Sequence, residues 1–138
     1  MKAIIFDLLN TLYDPSSNRL FDGVPSLLEN LSKKYKMALV SSTPDEEGRR
    51  ALVKALGIDK YFEKVIVDSK TPELFLSICK ELEVKPEEVY VIGDSLESEI
   101  CVGNELRMKT VWIGHDRVSS INSWTVVNSV SEVGDIVV

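Results

Sequence analysis

Groups able to do chemistry stand at intervals along this chain, each just past a short apolar run: the Asp7 carboxylate, the Ser41 and Ser42 hydroxyls, the Lys70 ammonium and the Asp94 carboxylate. Asp7 closes the run Lys2-Ala3-Ile4-Ile5-Phe6 and opens the turn Leu8-Leu9-Asn10-Thr11, with a threonine four residues on. An acid in that setting reads as an exposed nucleophilic carboxylate. Two acids can hold a hard cation through oxygen, and a lysine with a hydroxyl can neutralise phosphoryl oxygens. The set predicts a phosphate-plus-divalent-cation site. Taken singly, each group has a plainer explanation. A serine after a strand commonly caps a helix, a lysine before Thr71-Pro72 is solvated, and an acid after Gly93 turns the chain. Their joint placement after four apolar runs is what argues for a site.

The elements that must position them alternate. Apolar runs at 2–7, 37–41, 64–67, 88–92 and 109–113 read as buried strands, and residues 23–34, 44–56, 72–83 and 95–106 carry helical periodicity. Thr43-Pro44-Asp45-Glu46 has capping-box spacing with Pro at N1, and Thr71-Pro72-Glu73 opens the next helix similarly. Residues 124–127 are expected to add an edge strand, and Ser131 to cap a last helical turn. Tyr13 to Asp22 and Gly114 to Ser123 read as surface loops. Strands alternating with helices predict a doubly wound, Rossmann-like α/β fold: a mainly parallel sheet of about five to six strands with helices on both faces. Sites in such sheets lie beyond the carboxyl ends of the strands, near the topological switch point. At 138 residues the chain is expected to form a single domain spanning 1–138.

Composition removes several classes. Sixteen Lys and Arg residues against 22 Asp and Glu leave a net charge of -6, and the basic residues are scattered, which argues against a nucleic-acid or anionic-membrane surface. No apolar run approaches the roughly 18 residues of a membrane span, and the start is too short for a signal-peptide core. Cys79 and Cys101 fit no metal spacing. Both fall in predicted helices and are expected to be buried free thiols in a reducing cytoplasm.

The segment Asp7-Leu8-Leu9-Asn10-Thr11-Leu12 resembles motif I of the haloacid dehalogenase-like superfamily, whose phosphatases read Asp-x-Asp-(Gly/Asn)-Thr-Leu. Val40-Ser41-Ser42 is similar to motif II, and Lys70-Thr71-Pro72-Glu73-Leu74-Phe75 to the motif III lysine with its Pro-Glu-x-Phe tail, one residue shorter here. Gly93-Asp94-Ser95 to Glu99 resembles motif IV, with Glu99 in place of the second acid. The motifs come in family order and span nearly the whole chain. Two departures stand out. Leu9 occupies the position of the general acid/base aspartate, and Arg107 the position of a helix-ending Gly, so Arg107 is expected at positive φ. Only Leu12 to Asp22 separates motif I from the first helix, which leaves room for a short flap and no cap domain.

The resemblance implies that Asp7 attacks phosphorus and forms an aspartyl phosphate. It implies that Mg²⁺ is held by Asp7, Asp94 and the backbone carbonyl of Leu9, with Glu99 binding it directly or through water from one turn into the helix. Ser41 and Lys70, with Ser42 beside them, would bind the phosphoryl oxygens. Losing a positioned acid/base costs about 10²–10⁴-fold, so hydrolysis is expected to be slow. His115 and Asp14 are the candidate substitutes. The alternative is a catalytically degenerate protein of the same fold that binds phosphate, metal or a partner protein. Dehalogenase and phosphonate chemistry in this family lean on a cap, which disfavours both here. Without a cap the site would accept a phosphorylated small molecule or a bulky phosphorylated substrate, or be closed by a second copy of the chain in a homo-oligomer.

Overall fold

The apolar run after Met1 is buried on both sides, which places it in the middle of a sheet. In the computed structural model, which describes residues 1–115, 117 and 123–137, strand β1 (Ala3–Phe6) has every side chain buried. Ile4 and Phe6 enter one apolar cluster, Ala3 and Ile5 the other, the alternation a strand imposes. A strand covered on both faces belongs inside a parallel sheet with helices on either side.

After β1 come a small antiparallel hairpin, β2 (Tyr13–Asp14) with β3 (Arg19–Leu20), then α1 (Val24–Ser32) and β4 (Lys36–Ser41). Next are α2 (Glu46–Ala55), β5 (Lys64–Val67), α3 (Pro72–Leu82), β6 (Val89–Gly93) and α4 (Glu99–Glu105). Strands β7 (Lys109–Ile113) and β8 (Thr125–Val127) and helix α5 (Val133–Ile136) follow. The main sheet has six strands in the order β5-β4-β1-β6-β7-β8, every pairing parallel. Helices α1, α2 and α5 bury Val24, Leu28, Val53 and Val133 on the face of Ile4 and Phe6. Helices α3 and α4 bury Phe75, Ile78 and Val102 on the other. This is the doubly wound fold expected, with the 124–127 segment realised as the sixth strand.

Strands β1 and β6 are neighbours, yet the chain leaves β1 toward β4 and β6 toward β7. Connections that diverge open a crevice at the carboxyl ends, and Asp7 and Asp94 are the first residues beyond β1 and β6. Between Leu12 and Val24 the chain forms only the β2–β3 hairpin, the short flap expected in place of a cap. Among the described residues no helix is long and apolar enough to cross a membrane.

Local signals met with mixed outcomes. Thr71 caps α3 as expected, its hydroxyl accepting from the Leu74 N–H at 3.1 Å. Helix α2 begins two residues later than its capping-box spacing suggested, because the Asp45 carboxylate takes the Gly48 N–H at 3.0 Å and Thr43 only accepts from the Asp45 N–H. Arg107 sits at φ 61, the left-handed turn inferred for it. The last helical segment is capped at Ser129 rather than Ser131, which lies inside the 3-10 turn Val130–Glu132. Cys79 is buried, but Cys101 is exposed, contrary to expectation: α4 turns Ile100 and Val102 inward and the residue between them outward. Most of the loop expected at 114–123 lies outside the described residues.

Candidate active site

Asp7 is a buried carboxylate, not the exposed one its turn suggested, because Thr11 and Lys70 cover and engage both of its oxygens. Past β1, the Leu8 carbonyl accepts the backbone N–H groups of Thr11, Leu12 and Tyr13 at 3.2, 2.9 and 3.0 Å, and Asn10 turns at φ 60. This tight turn folds Thr11, itself fully buried, back over the acid, where its hydroxyl donates to Asp7 Oδ2 at 3.0 Å. Oδ1 accepts from Lys70 Nζ at 2.5 Å.

Lys70 arrives from the other side of the crevice, on the turn between β5 and the Thr71 cap. Its ammonium bridges Asp7 and Glu99, 2.8 Å from Glu99 Oε1, and its side chain is only 7% exposed. Glu99 is the first residue of α4, not one turn inside it as the sequence suggested. Residues 95–98 instead form a turn that the Glu99 side chain closes, its Oε2 accepting from the Ser95 N–H at 2.7 Å. Gly93 makes this possible: a Cβ there would lie 2.1 Å from Glu99 Oε2. Asp94 is half-buried beside them, and carboxylate oxygens of Asp7, Asp94 and Glu99 all lie within 4.8 Å of one another.

The charges in this cluster do not balance. Burial pushes the Asp7 carboxyl up to about 6, Lys70 opposing and the nearby Asp94 adding to the rise. Glu99 and Asp94 are also raised, in both cases chiefly by burial. Burial works against the Lys70 ammonium, but Asp7 and Glu99 outweigh it and hold its pKa above the ordinary value. Lys70 is therefore charged, and with Arg117 3.9 Å from Asp94 Oδ2, two cations stand against three carboxylates. Oxygen donors packed this closely and short of positive charge suit a hard divalent ion, which takes carboxylate and carbonyl ligands. The donor set fits Mg²⁺.

A model of haloacid dehalogenase-like hydrolases matches residues 16–100. The chain belongs to that family. The matched stretch carries Ser41, Lys70, Asp94 and Glu99, while Asp7 and Leu9 precede it. The human N-acylneuraminate-9-phosphatase is 29% identical over 111 residues, covering 75% of this chain and 44% of that protein. The glyceraldehyde 3-phosphate phosphatase of Methanopyrus kandleri is 31% identical over 98 residues, 67% of this chain and 42% of that protein. The chain thus spans less than half the length of these two relatives. Among solved structures, a HAD phosphatase from Thermococcus onnurineus superposes with a TM-score of 0.85 at 19% identity, covering 99% of this chain and 97% of that one, a likeness of fold.

The remaining residues singled out in this member of the haloacid dehalogenase-like family divide into those near the cluster and those apart from it. Ser41 is buried at the end of β4, one strand from Asp7, and its hydroxyl accepts from Arg49 of α2. Ser42 is exposed, outside the buried cluster. Leu9 is half-buried and packs against the larger apolar cluster. His115 and Asp14 line a cleft of about 400 Å³ together with Asn10, Phe21, Asp94 and Arg117. The His115 ring stacks on Phe21, with Nε2 2.6 Å from the Asn10 carbonyl oxygen. Asp14 is held within the hairpin by Ser16 and Ser17, and the Ser16 contacts bring its carboxyl below the ordinary range.

Sequence reasoning gave Thr11 no role of its own and passed over Arg117 and Arg49. Thr11 was visible only as a threonine four positions after an acid. Arg117 donates to the backbone carbonyls of Asp94, Ile113 and Gly114 at 3.0, 3.0 and 2.7 Å, but its loop had no periodicity to read. Arg49 looked like part of a solvated helix face, and no sequence signal separates it from Arg50.

Proposed function

We propose that this chain is a Mg²⁺-dependent phosphohydrolase that works through an aspartyl phosphate on Asp7, slowly because Leu9 replaces the general acid/base. The observation that carries the reading is the Lys70 ammonium, buried between Asp7 and Glu99 beside Asp94. A cation fixed there would stabilise the nucleophile and meet the charge of an incoming phosphoryl group.

Asp7 would attack phosphorus in line. As its oxygen bonds to phosphorus, the bond to the leaving oxygen breaks and that oxygen departs with the electron pair. Water would then attack the aspartyl phosphate, break its phosphorus–oxygen bond and regenerate the carboxylate. Thr11 keeps Asp7 from rotating out of line. Lys70 and the Ser41 hydroxyl would bind the equatorial oxygens. Asp7, Asp94 and the Leu9 carbonyl would hold Mg²⁺, with Glu99 orienting its water shell, and when bound the ion would supply charge stabilisation for the phosphoryl oxygens. The Leu9 side chain is irrelevant to a ligand supplied by its backbone.

The relatives act on phosphorylated small molecules by name, and a 400 Å³ cleft beside Asp94 is of a size for one. With a hairpin in place of a cap, a bulkier phosphorylated substrate would be a second candidate. Two free thiols suit the cytoplasm expected from the sequence. The direct test is turnover of an activated aryl phosphate in Mg²⁺ and in chelator, for wild type and Asp7→Asn. Mg²⁺-dependent turnover that Asp7→Asn removes is expected. Phosphate binding without any turnover would favour the degenerate, ligand-binding alternative, for which Leu9 is the specific argument.

A further inference from the structure

Arg49 and Arg50 are consecutive on α2, and the structure treats them differently. Arg50 is exposed and satisfied, paired with Glu46 at 2.9 Å and donating to the Val65 carbonyl at 2.7 Å. Arg49 is half-buried and turns toward the carboxyl edge of the sheet, where it donates to the Ser41 hydroxyl. Among the described residues no carboxylate pairs with Arg49. A guanidinium offers five N–H donors in a planar fork, and the Ser41 bond occupies one. Ser41 itself is only 3% exposed, on the strand next to β1, with Leu39 opposite Phe6 in the register. Neighbouring strands lie about 4.8 Å apart, so the backbone of Ser41 sits one strand spacing from the nucleophile's strand, at its carboxyl edge.

We propose that Arg49 is a substrate-binding residue: it anchors on the Ser41 hydroxyl and presents its free N–H groups to an oxygen of the transferred phosphoryl group. The inference rests on the phosphohydrolase reading and adds to that site a ligand not named by the motifs. Because the Ser41 oxygen accepts from Arg49, its own hydrogen is left to donate toward the same phosphoryl group. Arg49 and Lys70 would then approach that group from α2 and from the turn before α3. A planar fork matches a tetrahedral oxyanion in two bonds, which a lysine cannot copy.

The test is binding of inorganic phosphate in saturating Mg²⁺, followed by isothermal titration calorimetry, in wild type, Arg49→Gln, Arg49→Lys and Arg50→Gln. Arg49→Gln should weaken phosphate by about tenfold or more, Arg49→Lys should restore only part of that, and Arg50→Gln should match wild type. Both Arg49 variants keep a long polar side chain at a half-exposed position, and unchanged melting temperatures would show them folded. Undiminished phosphate binding in Arg49→Gln would overturn the inference and leave the phosphohydrolase reading intact. No phosphate binding by wild type, with no turnover of an aryl phosphate, would overturn both.

Discussion

Replacing Asp7 with asparagine should make the metal-free protein more stable while ending its activity. Asn approximates the protonated acid in shape. Its carbonyl can accept from Lys70 in place of Oδ1 while its NH2 donates to the Thr11 hydroxyl, and Lys70 keeps its partner Glu99. What disappears is a carboxylate that burial raises from 3.8 to about 6 even with Lys70 in contact. A raised carboxyl means the folded state binds the proton more tightly than the unfolded chain between those two values. Stability contributed at Asp7 therefore falls as pH rises through that window and levels off above it. At about 1.36 kcal/mol per pH unit, the charged form costs the fold up to about 3 kcal/mol at pH 8. The same linkage gives about 1.6 kcal/mol at pH 5 and about 0.6 kcal/mol at pH 4. The assay is urea unfolding of wild type and Asp7→Asn in chelator at pH 4, 5 and 8. The variant's advantage should grow with pH in that order, reaching about 3 kcal/mol at pH 8 and showing as a higher urea midpoint. A variant less stable than wild type at pH 8, or a difference independent of pH, would show that Lys70 fully compensates the buried charge.

Leu9→Asp should raise phosphatase activity by about 10²–10⁴-fold on alkyl phosphates, whose leaving alkoxide needs a proton, and less on aryl or acyl phosphates; steady-state kinetics on both substrate types checks it. Asp94→Asn should weaken Mg²⁺ binding by titration calorimetry, and an unchanged isotherm would leave Asp94 a turn residue and nothing more.

What was legible in the sequence was whatever depends on position along a strand. Asp7, Ser41 and Asp94 could be placed because each ends or follows an apolar run, and the parallel sheet then brings the run ends to one edge. The Arg107 turn was legible through the resemblance instead: Arg107 stands where the family has a helix-ending Gly, and the left-handed turn is kept with a non-Gly residue. Glu99 was misplaced because residues 95–98 have helical periodicity but lose the competition to a side chain. The Glu99 carboxylate offers the Ser95 N–H a stronger acceptor than a helical carbonyl, and Gly93 leaves room for it. Thr43 lost α2 to Asp45 by the same kind of contest between two good caps. Arg49 was illegible on rotational grounds. Adjacent helical residues point about 100° apart, so two neighbouring arginines meet a buried hydroxyl and open solvent, and only the packing of α2 decides which.

The same geometry bears on whether anything replaces the missing acid on the proposed pathway. His115 Nε2 lies 2.6 Å from the Asn10 carbonyl, an acceptor with no hydrogen to give, so the hydrogen of that bond belongs to His115. That proton is committed to the carbonyl, so Nε2 is not the acid. Asp14 lines the same cleft, but serine contacts hold its carboxyl below the ordinary range, so near neutral pH it is ionised and has no proton either. Both residues line the cleft, but neither the engaged Nε2 hydrogen of His115 nor the ionised Asp14 is free to supply the leaving group's proton. They could orient a substrate hydroxyl in the cleft while the departing oxygen takes its proton from water entering past the hairpin. Selection would then fall on leaving-group basicity: phosphates of weakly basic leaving groups turn over, and simple alkyl phosphates bind and wait.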